Sequence, residues 1–81
     1  MQRGDKGKRV VRFTKRLAYI HKPDGSKFLK RWWWTYKAPV AEAVEQFQRH
    51  YKLEVDGKIG PETGHKINAV FKRQWNQRGK K

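Results

Sequence analysis

The 81-residue sequence contains no cysteine, which excludes disulfide bonds and thiolate metal sites within it. It also has no apolar run near the roughly 20 residues that a membrane-spanning helix requires. Its first residues, MQRGDKGKRVVRF, lack the apolar region of a secretory signal peptide. We therefore expect neither a membrane span nor a signal, and a core built from aliphatic residues and the 4 Trp, 3 Tyr and 4 Phe.

Acidic residues are scarce, because 7 Asp and Glu stand against 21 Lys and Arg, for a net charge of +14. The imbalance is greatest in residues 1–37, which hold 12 Lys and Arg but only 2 Asp and Glu. Such an excess predicts a polyanionic partner. The charge alone leaves open whether that partner is nucleic acid, an acidic membrane surface or an anionic cell-wall polymer.

Residues 10–37 carry patterns typical of β-structure. The turn sequence Pro23-Asp-Gly25-Ser favours a chain reversal, because proline presets φ and glycine accepts a positive φ. The apolar and β-branched runs on either side predict a β-hairpin or a three-stranded antiparallel sheet. The expected strands are Val10–Thr14, Leu17–Lys22 and Lys27–Tyr36.

Three consecutive tryptophans, Trp32, Trp33 and Trp34, lie in the last of these predicted strands. Side chains alternate between the two faces of a strand, so the three rings cannot share one face. We expect Trp32 and Trp34 to pack on the core together with Phe28 and Tyr36. Trp33 is then the exposed ring, and a candidate for stacking on bases or sugars.

The apolar period becomes helical after Pro39, with Val40, Val44 and Phe47 at spacings of four and three. This predicts a helix from about Pro39 to Tyr51. A second helix is expected to begin at Pro61, because proline suits the first helical turn. The overall prediction is an α+β fold. Its expected parts are a disordered basic arm at 1–9, one compact domain at 10–75 (β-rich in 10–37, helical in 38–75) and a basic tail at 76–81.

The segment Ala43–Asn68, AVEQFQRHYKLEVDGKIGPETGHKIN, resembles the small peptidoglycan-binding domain family of cell-wall hydrolases. AVEQFQRHYKL looks like a helix of that family, and VDGKIGPETGHKI looks like its characteristic loop and the following helix start. The family usually has a further helix upstream, where this sequence predicts a hairpin. Asp56-Gly57 is also typical of a turn and Gly60-Pro61 of a helix start, whatever the family. The motif therefore predicts a fold more directly than it predicts a ligand.

The resemblance implies a non-catalytic module that binds bacterial cell-wall peptidoglycan. It suggests a groove that would hydrogen-bond the glycan or the stem peptide through Gln48, Tyr51, Asp56 and Thr63. Since no signal peptide is seen, a phage virion or lysis component is one context for this function, with the virion or the bacterial cytoplasm before release as its location.

Catalysis and cofactor binding are not expected. The sequence offers no acid–base pair of carboxylates, no glycine-rich phosphate loop and no zinc motif. The three histidines, His21, His50 and His65, lack metal-ligand spacing.

The alternative function is that of a basic nucleic-acid-binding protein, or of a structural protein of a virion or nucleoprotein assembly, that uses residues 1–37. DNA or RNA, or other subunits of the assembly, would then be the partners. Trp33 would stack on bases in this reading. The predicted polyanion-binding residues are Arg9, Arg12, Lys15, Arg16, Lys27, Lys30, Arg31 and Lys37.

Overall fold

The structure is a computed structural model that describes residues 1–79. Over this range the chain forms three helices, α1 (Lys8–Tyr19), α2 (Ala38–His50) and α3 (Pro61–Gly79). The only strand-like pairings among the described residues are two isolated bridges, Lys6 with Thr35 and His21 with Lys27. The predicted α+β fold with a sheet is therefore wrong, and the fold is helical.

Helix α1 occupies the region where two strands were expected. Val10, Thr14 and Leu17 are buried on one face of it, at spacings of four and three residues. The β-branched pair at 10–11 favours a strand locally, but burial of this helical stripe prevails over local propensity. Thr14 fits in the buried stripe because its hydroxyl donates a 2.7 Å hydrogen bond to the Val10 carbonyl.

The predicted turn is present, although the strands beside it are not. The Gly25 amide donates to the Lys22 carbonyl at 2.8 Å, and the Lys22 amide donates to the Ser26 carbonyl at 2.8 Å. Gly25 adopts a φ of 90°, which is the conformation expected of it. The reversal does not extend into a hairpin, because the chain before it is helical up to Tyr19 and Phe28 after it turns into the core.

The three tryptophan side chains alternate between core and solvent as predicted, but the buried and exposed positions are exchanged. Trp32 and Trp34 are 46% and 54% exposed, whereas Trp33 is half-buried against the core. The Trp33 amide donates to the Thr14 hydroxyl at 2.9 Å, which fixes the run against α1. The expected burial of Trp32 and Trp34 is therefore wrong, while that of Phe28 and Tyr36 is confirmed.

The amino-terminal segment 1–7 is bonded to the rest of the chain, in contrast to the expected disordered arm at 1–9. The Gly4 and Gly7 amides donate to the carbonyls of Tyr36 (3.0 Å) and Trp34 (3.1 Å). The Ile59 amide donates to the Met1 carbonyl at 2.7 Å, which joins this segment to the α2–α3 connection. At the other end, the expected basic tail at 76–81 is helical up to Gly79, and its last two residues lie outside the described range.

Helices α2 and α3 agree with the sequence prediction. Val40, Val44 and Phe47 are buried on α2, and Ile67 and Val70 are buried on α3. Together with the stripe of α1 they form one hydrophobic core. None of the helices within residues 1–79 is both long enough and apolar enough to cross a membrane.

Candidate functional site

The connection between α2 and α3 is organised around the side chain of Gln48, which is 1% exposed. Its amide nitrogen donates to Asp56 Oδ1 (2.9 Å), to the Lys58 carbonyl (2.9 Å) and to Thr63 Oγ1 (3.0 Å). Its amide oxygen accepts from the backbone amides of Asp56 and Gly57, both at 3.0 Å. Gln48 therefore joins the end of α2, the loop and the start of α3.

The tip of this loop is held from other sides as well. Asp56 Oδ1 also accepts the Lys58 amide at 2.9 Å, and this bond together with that from Gln48 lowers the pKa of the Asp56 carboxyl. The Tyr36 hydroxyl donates to the Gly57 carbonyl at 2.6 Å. Gly57 has a φ of 73°, and a Cβ there would lie 3.0 Å from Glu45 Oε2. Only glycine suits this position without strain.

A groove of about 390 Å³ lies beside the loop tip, between α2 and the amino-terminal segment. We call it the loop groove. Its lining residues are Gln2, Arg3, Ala38, Ala41, Glu42, Glu45, Asp56, Gly57 and Lys58. Two alanines give it a small apolar wall, and the charged residues include both signs. Such a lining offers hydrogen-bond acceptors and donors to a polar, uncharged or zwitterionic ligand.

The four predicted ligand residues do not form one surface. The side chain of Gln48 is hydrogen-bonded to both Asp56 and Thr63, so these three residues are brought together. Gln48 and Thr63 are buried, however, and only Asp56 lines the loop groove. Tyr51 lies elsewhere, with its ring 4.7 Å from that of Phe47. Burial raises the pKa of the Tyr51 hydroxyl.

The predicted polyanion-binding residues are spread over several elements. Arg9, Arg12 and Lys15 are exposed on α1; Lys27, Lys30 and Arg31 are exposed in the connection to α2; Lys37 precedes α2. Arg16 is half-buried and its guanidinium hydrogen-bonds the Asn68 side chain. The predicted stacking residue Trp33 has the Arg31 guanidinium 4.4 Å from its ring centroid. Trp33 is thus less accessible than the tryptophans on either side.

Of the residues that line the loop groove, only Asp56 was predicted from the sequence as a ligand-binding residue. Ala38, Ala41, Glu42 and Glu45 follow a helical period on α2, so one face of a predicted helix could have identified them. Arg3 could not be found in this way, because its position depends on the backbone pairing of residues 1–7. Within residues 1–79, no group of three or more His, Cys, Asp or Glu is placed to hold a metal ion.

Comparisons with known proteins bear on this site. The family described as "Putative peptidoglycan binding domain" matches residues 35–67. Among solved structures, the crystal structure of the SleB N-terminal domain is similar, with 27% identity and a TM-score of 0.65 over 88% of this chain and 90% of that one. No curated protein sequence matches the chain. The resemblance to the peptidoglycan-binding domain family is thereby confirmed, and residues 35–67 are the part of the chain that matches it.

Proposed function

We propose that the protein is a non-catalytic module that binds bacterial cell-wall peptidoglycan in the loop groove. The observation that carries the proposal is that the residues lining the loop groove lie mostly within the segment that matches the peptidoglycan-binding family. All lining residues except Gln2 and Arg3 fall within residues 35–67. The matched family is described as a binding domain, which supports binding and not catalysis as the role.

The chemistry of the groove is compatible with this polymer. Peptidoglycan presents sugar hydroxyls, acetamido groups and stem peptides that carry carboxylates. The carboxylates of Glu42 and Asp56 can accept hydrogen bonds from hydroxyl and amide donors. Arg3 and Lys58 can donate to stem-peptide carboxylates. The alanine wall leaves room for an acetamido methyl group or the apolar face of a sugar ring.

The loop beside the groove is fixed before any ligand arrives. Gln48 and Tyr36 hold its backbone through the hydrogen bonds described above. A prearranged site loses less conformational entropy on binding than one that must be ordered. In this proposal Gln48 and Thr63 act through the loop, and they are positioning residues that do not touch the ligand.

Filling the loop groove tests the proposal. Ala38 is half-buried in the groove wall, so Ala38→Trp places an indole where the ligand would lie. We expect the affinity for purified peptidoglycan, measured by co-sedimentation, to fall at least about tenfold, or about 1.4 kcal/mol. The matched control is Ala69→Trp, at an exposed position of α3 outside the groove, which should bind like wild type.

Circular dichroism of both variants shows whether they remain folded. If folded Ala38→Trp binds peptidoglycan as tightly as wild type, the loop groove is not the binding site. If the wild-type chain itself is not retained on peptidoglycan at moderate salt, the proposed function is wrong.

A further inference from the structure

Helix α1 has a cationic outer face. Its 12 residues include five Lys and Arg and no acidic residue. Lys8, Arg12 and Lys15 follow one another at spacings of four and three, so they form a single stripe about 10 Å long. All three are exposed, and the opposite side of the helix is the buried stripe of Val10 and Leu17.

Two exposed tryptophans lie beside this stripe. Lys15 Nζ is 5.6 Å from the ring centroid of Trp32. The Trp34 carbonyl accepts the amide of Gly7, the residue before α1. The Trp32 ring therefore lies beside the stripe, and the backbone of Trp34 is bonded to the residue that precedes α1. We call Lys8, Arg12, Lys15, Trp32 and Trp34 together the basic–aromatic face.

The first cation of this face, Lys8, does not help α1 to fold. Lys8 lies in the first turn, where the positive end of the helix dipole repels a cation. Trp32 and Trp34 leave about half of their surface in water, although they are among the largest apolar side chains. A partner that carries both negative charge and flat apolar surfaces would complement both features.

We infer that the basic–aromatic face binds an anionic wall glycopolymer, a polymer of sugars or polyols joined by phosphodiester bonds and attached to peptidoglycan. This inference rests on the proposed function, because it places both surfaces of the protein on one cell wall. Phosphates pair with the cation stripe, and sugar rings stack on the two indoles. Simultaneous contact through the loop groove and this face raises the retention of the module on the wall.

The test compares cell walls that keep their phosphodiester polymers with the same walls after hydrofluoric acid has removed them. We expect the wild-type chain to bind intact walls more tightly than stripped walls, with the difference disappearing at high salt. The triple variant Lys8→Gln/Arg12→Gln/Lys15→Gln should lose about tenfold or more of its affinity for intact walls at low salt. It should bind stripped walls like wild type.

The matched control removes the same number and kind of charges elsewhere. Arg49, Lys52 and Lys72 are exposed and lie outside both the loop groove and the basic–aromatic face. Arg49→Gln/Lys52→Gln/Lys72→Gln should keep the preference for intact walls. A second variant, Trp32→Ala/Trp34→Ala, keeps the charge and should also weaken binding to intact walls, because the stacking surface is lost. Circular dichroism shows whether this variant remains folded, and a modest decrease in Tm is expected because about half of each indole is buried.

The outcomes separate this inference from the proposed function. Equal binding of wild type to both wall preparations, or an unchanged preference in the Lys8/Arg12/Lys15 variant, would overturn it. Tighter binding to single-stranded DNA or to phosphatidylglycerol vesicles than to intact walls would also overturn it, in favour of those partners. Failure of the proposed function looks different, because wild type would then not bind stripped walls at all.

Discussion

Replacing Gln48 with alanine is expected to lower the free energy of unfolding by about 3–5 kcal/mol. The change removes the acceptor of the Asp56 and Gly57 amides and the donor to Thr63. Each buried polar group that is left without a partner costs about 1–3 kcal/mol. Since a domain of this size has a total stability of about 4–12 kcal/mol, the variant should lose about a quarter or more of it.

Thermal unfolding followed by circular dichroism measures this effect. A loss of 3 kcal/mol corresponds to a decrease in Tm of about 12 °C or more in a domain of this length. Gln46→Ala is the matched control, because Gln46 is exposed on the same helix. Gln48→Leu, which keeps the side-chain size, should lose nearly as much as Gln48→Ala. A leucine variant as stable as wild type would show that Gln48 acts by filling space and not by hydrogen bonding.

Tyr36→Phe is expected to have an effect that depends on pH. At pH 7 the variant should be less stable by about 1–2 kcal/mol, because the buried Gly57 carbonyl loses the Tyr36 hydroxyl. Burial, assisted by the negative charges of Asp56, Asp5 and Glu45, raises the pKa of the Tyr36 hydroxyl well above its usual value.

Because the pKa of Tyr36 is higher in the folded chain than in the unfolded one, wild type should lose stability at alkaline pH. Above about pH 10 the tyrosine ionises in the unfolded chain but stays protonated in the folded one. Stability is therefore fully present below pH 10 and falls, by up to about 1.4 kcal/mol per pH unit, as the pH rises towards the pKa of the folded state. Phenylalanine cannot ionise, so the variant lacks this contribution.

Urea unfolding between pH 8 and pH 12 tests this prediction. The difference in free energy between wild type and Tyr36→Phe should shrink as the pH rises above 10, and it should approach zero or change sign. Tyr51→Phe, which retains Tyr36, should keep most of the alkaline loss. A difference that is constant over the whole range would mean that Tyr36 ionises equally in the folded and unfolded chain.

The carboxyl-terminal half of the fold was predictable because its signals are local and consistent. Helix α2 has an apolar period of four and three, and α3 begins at Pro61 where proline is expected. Helix α1 was mispredicted because Val10 and Val11 favour a strand and a good turn sequence follows. The stripe of Val10, Thr14 and Leu17 is equally regular, but it includes a polar residue whose burial depends on its hydroxyl bonding.

The site was predictable only in part. The resemblance led to Gln48, Asp56 and Thr63, and the structure brings these three together. The resemblance could not show that Gln48 makes its hydrogen bonds to the loop and not to a ligand. Those bonds depend on the path of the loop backbone, which the sequence does not reveal. Arg3 and the sense of the tryptophan alternation depend on the pairing of residues 4–7 with 34–36, which has no signature in the sequence.

The most direct test of peptidoglycan binding in the loop groove is an NMR titration of the ¹⁵N-labelled chain with soluble peptidoglycan fragments. The backbone amides that shift should be those that line the groove, above all Ala41, Glu45, Gly57 and Lys58, and the shifts should saturate. Amides on the exposed side of α3, such as that of Ala69, should stay in place. An absence of saturable shifts, or shifts confined to α1 or α3, would contradict the proposed site.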